Sequence, residues 1–195
     1  MRLYRTLFIC LLIIASGCAN IKVALYDHQQ RKAYTEQAKQ TYLASAEAST
    51  HSVASKNTST TKANSLKHSM VETASFYIGS PYRYGGMDAK KGFDCSGFVS
   101  TVAKKNKIEL PRSSSMMAKA APHIPWKKAA SGDLVFFGDK GQIHHVGIIE
   151  KNREGEMIVI HSTNQRGVIS ENVLDSAYWR KRIMFAIDIQ SFQKT

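Results

Sequence analysis

All four prolines and eleven of the twelve glycines lie beyond residue 78, and the stretch from Cys18 to Ile78 contains neither. Glycine and proline punctuate the tight turns that short strands require, so turn-linked sheet structure is confined to the C-terminal part of the chain. From Ala44 to Ser69 the residues are mostly Ser, Thr, Ala and Lys. Such a segment buries too little apolar surface to offset the entropy of ordering it, and it reads as a linker. Residues 21–43 have irregular apolar spacing and offer at most a loose helix. As a flexible coil, roughly 50 residues would span on the order of 40 Å.

Composition bounds the rest. The 195 residues, 43% hydrophobic and 22% charged, suffice for one compact domain with appendages. The formal charge of +12 suits an anionic partner: nucleic acid, acidic lipid or an acidic wall polymer. Three cysteines, Cys10, Cys18 and Cys95, are too few for a disulfide framework or a four-thiolate zinc site.

Arg2 and Arg5 precede the apolar run Leu7–Ala15, the order of a secretory signal peptide, and the run falls short of the about 20 residues that span a bilayer. Ile14-Ala15-Ser16-Gly17-Cys18 resembles the lipobox of bacterial lipoproteins. That resemblance implies cleavage after residue 17, lipidation of Cys18 and anchoring to a membrane leaflet. Ala19 after the cysteine resembles lipoproteins sorted to an outer membrane, facing the periplasm. The expected organisation is a signal peptide over 1–17, a lipidated N-terminus and linker over 18–68, and a folded domain over 69–195.

Within that domain, Val71–Ile78 reads as a short helix closed by Gly79. Asp94 is a good N-cap for a second helix with Phe98, Val99, Val102 and Ala103 on its apolar face, so Cys95 opens that helix. Short apolar strands follow over 133–137, 145–150, 157–161, 167–170 and 182–189. Helices first and antiparallel strands after predict an α+β domain. A cysteine at a helix start has unpaired amides and the macrodipole beside it, which favour a reactive thiolate. His145 and His161 lie on consecutive strands and share a face if the hairpin pairing pivots on a residue; a three-residue loop with Gly155 as a left-handed bulge would do this. His145 would then take the thiol proton and His161 would orient it. His144, by alternation, should point away. A zinc site built from Cys95, His144, His145 and His161 is disfavoured because adjacent strand histidines diverge, and the Gly85-Gly86 loop lacks the lysine of a phosphate loop. No metal or cofactor is expected.

The stretches Gly79-Ser80-Pro81-Tyr82-Arg83-Tyr84-Gly85-Gly86, Gly92-Phe93-Asp94-Cys95-Ser96-Gly97-Phe98-Val99, Leu110-Pro111-Arg112-Ser113, Gly132–Phe137, His145–Ile148, His161-Ser162-Thr163 and Tyr178-Trp179-Arg180-Lys181 resemble, in order, those of the NlpC family of bacterial cell-wall cysteine peptidases. The resemblance implies a papain-like α+β fold in a single catalytic domain that hydrolyses amide bonds in peptidoglycan stem peptides or crosslinks. It implies Cys95 as nucleophile, His145 as base and then acid, and His161 as the polar third residue. Tyr82, Asp94, Ser96, Arg112 and Ser113 match positions that line the substrate cleft, although Asp94 alone is also a helix cap, Ser96 a first-turn residue and Tyr82 a packed aromatic. The expected partners are peptidoglycan peptides and, through the lipid, a membrane, with no nucleic acid and a monomeric state. A non-catalytic wall-binding lipoprotein, or an amidase or acyltransferase on the same scaffold, are the competing readings.

Overall fold

A computed structural model describes residues 58–193 of the chain, so the signal peptide, Cys18 and most of the expected linker lie outside the described residues. The order is α1 (Thr58–Phe76), β1 (Met87–Asp88), β2 (Gly92–Phe93), α2 (Cys95–Lys105), α3 (Ser114–Lys119), β3 (Leu134–Asp139), β4 (Gln142–Arg153), β5 (Glu156–Thr163), β6 (Gly167–Asn172), α4 (Ala177–Arg180) and β7 (Ile183–Ile187). Strands β3 to β7 form an antiparallel sheet in the order β6-β5-β4-β3-β7. The expected α+β architecture is present.

The first helix corrects the linker boundary. Helix α1 begins at Thr58, eleven residues before Ser69, because Met70 and Ala74 are fully buried, Leu66 packs against the same cluster, and Lys67 finds a buried partner. Lys67 Nζ lies 2.8 Å from Asp133 Oδ1 and 3.1 Å from Asp188 Oδ1, with the Asp133 side chain only 1% exposed. Phe76, the last residue of α1, is exposed. Asp133 also accepts hydrogen bonds from the amides of Ala130 and Ile189. Removing the cation leaves a buried carboxylate that retains those two donors. Lys67→Met is therefore expected to lower stability by about 2 to 3 kcal/mol, read as a lower urea midpoint; an unchanged midpoint would show that α1 does not depend on this pair.

The sheet is covered on both faces, which explains why β3 reads as the unbroken apolar run Leu134-Val135-Phe136-Phe137 rather than an alternation. Leu134 and Phe136 face α2 and its neighbours, packing with Phe93, Phe98, Val102, Val146, Ile148 and Ile160. Val135 and Phe137 face the other way, with Ile149, Met157 and Val159. A side chain such as Phe98, entirely out of water, contributes about 2 to 3 kcal/mol of transfer free energy.

The hairpin that carries the histidines corrects the expected loop. Strands β4 and β5 join through the two-residue turn Glu154-Gly155, with Gly155 at φ 74°, and Arg153 pairs Glu156. The parity changes further along, where Glu150 is an extra residue between Ile149 and Lys151, so that Ile148 pairs Ile160. The bulge thus sits at Glu150, not at Gly155, and it places His145 and His161 on one face as expected.

Candidate active site

Asp94 sets the position of Cys95. Its backbone is extended (φ −84°, ψ 176°) and its carboxylate accepts from the Gly97 amide, capping α2 one residue before the cysteine. The same carboxylate accepts from the Gly85 amide at 3.0 Å and from both terminal nitrogens of Arg112, at 3.1 and 2.8 Å. Arg112 also donates to Ser96 Oγ at 2.9 Å. The loop through Gly86 can lie across this helix start because residue 97 is glycine: a Cβ there would stand 2.0 Å from the Gly86 carbonyl oxygen.

Cys95 is half-buried, and burial first, then the Asp94 charge, push its thiol above the ordinary value. The amides of Val146, Ser96 and Cys95 itself act in the opposite direction and do not overcome this. The expectation of a thiolate lowered by its helix is therefore corrected: desolvation and an adjacent carboxylate outweigh the amides. The Val146 amide at the sulfur also brings in its neighbour, His145, and Cys95 and His145 line one cavity of about 790 Å³.

Two structural ties hold the strands at the cysteine. Ser162 Oγ donates to the Phe93 carbonyl at 2.8 Å, linking β5 to the segment just before Cys95. Residue 147 must be small: a Cβ there would lie 2.5 Å from Val159 Cγ1 and 3.1 Å from His161 Cβ.

The histidines form a chain of hydrogen bonds. His145 Nε2 is 3.0 Å from His161 Nδ1, and His161 Nε2 is 2.9 Å from Glu171 Oε1. Arg166 donates to Glu171 Oε2 at 2.6 Å, and Trp179 Nε1 donates to Glu171 Oε1 at 3.0 Å. The hydrogen bond from His161, reinforced by Arg166, holds the Glu171 carboxyl at about 2. Burial is the leading cause that lowers His161, and it pulls His145 well below its ordinary value, with His161 adding to the effect. Two neutral imidazoles beside a carboxylate leave one consistent proton arrangement. His161 Nε2–H donates to Glu171, its Nδ1 accepts from His145 Nε2–H, and His145 Nδ1 carries an open lone pair. An imidazole nitrogen with an open lone pair can accept a proton. Trp179 packs on both rings, with centroids 4.7 Å from His145 and 5.0 Å from His161.

The structure brings Cys95, His145, His161 and Tyr82 to one site; Tyr82 lines the cavity, and its hydroxyl is raised by burial and then by Cys95. Asp94, Ser96 and Arg112 form the cluster that caps α2 and are not among the cavity-lining residues, and neither is Ser113, which caps α3 by accepting from the Met116 amide. His144 does not simply point away: it is exposed yet contributes to the cavity wall. Glu171, Arg166 and the ring contacts of Trp179 were missed. Ending β6 at Ser170 dropped Glu171 from the strand, whereas it pairs Val159, two residues along β5 from His161 on the same face. Among the described residues no group of His, Cys, Asp or Glu is arranged to hold a metal.

Helices that present a cysteine to a histidine on an antiparallel sheet make this a papain-like α+β fold. The chain belongs to the NlpC/P60 family, whose sequence profile matches residues 79–188. It is similar to the probable endopeptidase NlpC of Escherichia coli K12, 40% identical over 108 residues that cover 53% of this chain and 65% of that protein. It is also similar to the gamma-D-glutamyl-L-lysine dipeptidyl-peptidase of Bacillus subtilis 168, 42% identical over 82 residues, 40% of this chain and 27% of the relative. The chain thus spans less than two thirds of the length of either. Among solved structures, the NlpC/p60 domain of the peptidoglycan hydrolase SagA aligns with a TM-score of 0.52 at 31% identity, over 62% of this chain and 97% of that one.

Proposed function

We propose that the protein is a cysteine peptidase that hydrolyses amide bonds in peptidoglycan peptides. The observation that carries this reading is the chain His145–His161–Glu171, which leaves a basic nitrogen on the wall of the cavity that Cys95 lines. His145 Nδ1 takes the thiol proton as Cys95 Sγ attacks the amide carbonyl; the C–S bond forms and the carbonyl becomes an oxyanion. The Cys95 amide at the helix start and the Tyr82 hydroxyl are the donors available to that oxyanion. His145 then gives its proton to the nitrogen, the C–N bond breaks, and an acyl-enzyme remains. Water, deprotonated by the same histidine, releases the acid and restores the thiol. The names of the relatives, an endopeptidase and a dipeptidyl-peptidase, support amide hydrolysis, and the +12 charge favours peptides rich in carboxylates. Asp94, Ser96, Arg112 and Ser113 serve the substrate by holding the helix start and the cleft loops in place. Export, a lipid on Cys18 and an outer-membrane position facing the periplasm complete the reading and rest on the N-terminal sequence.

The test is digestion of purified sacculi by the wild-type protein, with soluble muropeptides identified by mass spectrometry. New peptide termini that disappear when iodoacetamide has labelled Cys95 support the reading. Intact sacculi and intact isolated muropeptides in the presence of unlabelled protein would overturn it in favour of a wall-binding role.

A further inference from the structure

The proposed mechanism uses the cavity's nucleophile and its histidines and leaves one cation unassigned. Arg182 lines the same wall as Cys95 and His145 and is half-buried. Its guanidinium carbon lies 3.9 Å from the centroid of the Tyr178 ring, and its NH1 donates to the Tyr178 carbonyl at 2.9 Å. Its backbone is fixed as well: the Arg182 carbonyl accepts from the Gly138 amide at 2.8 Å, beside the bulge where β3 and β7 change register. The side chain is therefore held in one place before any ligand arrives.

Its charge has no acidic partner among the described residues. The other guanidinium of the wall, Arg166, is committed to Glu171. Asp139, the acidic residue that lines the cavity, makes no ion pair with Arg182. A planar cation stacked on an aromatic face, with donors left over and no carboxylate of its own, is suited to receive one from a ligand.

The position of Arg182 tells which half of the substrate that is. Rings run from the catalytic base to it: His145 to Trp179 with centroids 4.7 Å apart, Trp179 to Tyr178 at 4.9 Å, and Tyr178 beneath Arg182. His145 is the group that protonates the departing nitrogen, so the wall leading away from it faces the residue that leaves as the amine. We infer that Arg182 is the subsite for a free carboxylate on the amine-side residue of the scissile bond. This inference rests on the peptidase reading and adds to it which substrate group is selected and where.

The experiment uses two synthetic stem peptides that differ only in whether the amine-side residue carries a free carboxylate or a primary amide. Wild-type protein should favour the carboxylate in kcat/KM by on the order of 10- to 100-fold, the span of a charge-assisted hydrogen bond. The preference should fall to near unity in Arg182→Gln and be partly kept in Arg182→Lys, which retains the charge without the planar fork. A wild-type ratio near one overturns the inference without any variant, and so does an undiminished ratio in a folded Arg182→Gln. If the wild type cleaves neither peptide, the peptidase reading fails by itself. Titration of the two amine-side fragments, followed by tryptophan fluorescence, then decides the subsite: tighter binding of the carboxylate form, lost in Arg182→Gln, upholds it, and equal binding rejects it.

Discussion

Cys95→Ala is expected to reduce release of muropeptides by on the order of 10⁴-fold or more while leaving a folded protein, as judged by its thermal melt and circular dichroism. The change removes a half-buried sulfur and with it the acceptor of the Val146 amide, while the cap of α2 belongs to Asp94 and the tie from β5 ends on Phe93. The stability cost should stay near 1 kcal/mol, the range for deleting a small partly buried group. The resting state can be read with the same residue. Burial raises the thiol and lowers His145, so both are neutral at neutral pH, and the proton moves only as the sulfur attacks. The rate at which iodoacetamide labels Cys95 should accordingly keep rising with pH through neutrality and beyond the ordinary thiol value of 9.0. A labelling rate that is already flat below pH 6 would demonstrate a preformed thiolate–imidazolium pair and defeat this account. Turnover, which needs only unprotonated His145, should hold below pH 6.5, because the histidine is depressed beneath that value.

Local signals carried the candidate site residues into view from sequence because each is tied to a short-range rule. Asp94 before an apolar helical face announces a cap, and a cap fixes Cys95 at the first helical position. The two histidines needed only the parity of one hairpin. That parity was right for a reason the sequence did not display: a bulge at Glu150, five residues from the glycine that looked like its natural place. Three features were hidden because they depend on contacts remote in the chain. Helix α1 is weakly amphipathic by composition and is held by Lys67 reaching Asp133 and Asp188, more than sixty residues away. Arg112 pairs with Asp94, which lies 18 residues earlier in the chain. The ionisation of Cys95 depends on how much of the sulfur is withdrawn from water, which helix position alone does not determine.

His161→Leu is expected to lower kcat by about 10³-fold, within the range seen when a catalytic histidine loses the group that fixes its tautomer. Leucine leaves His145 Nε2 without the acceptor 3.0 Å away, so the ring can carry its proton on Nδ1, the nitrogen that must be free to receive one from Cys95. Glu171 acts one bond further out, and two substitutions separate its possible roles. Glu171→Leu removes the acceptor of the His161 proton and should cost about 30- to 100-fold in kcat, with little change in KM, because Glu171 is not among the residues that line the cavity. Glu171→Gln keeps an oxygen for His161 Nε2–H and Trp179 Nε1–H and turns its amide toward Arg166, whose exposed side chain can swing away. It should cost less than about 10-fold if tautomer, not charge, is what Glu171 supplies. Nitrogen-15 spectra of the histidine rings give a readout that a purely structural role would not move: His145 should be protonated at Nε2 in the wild type and in Glu171→Gln, and mixed in Glu171→Leu. Equal damage from Gln and Leu would instead make the ion pair with Arg166 the decisive contact, and near-wild-type turnover in Glu171→Leu would confine the relay to the two histidines.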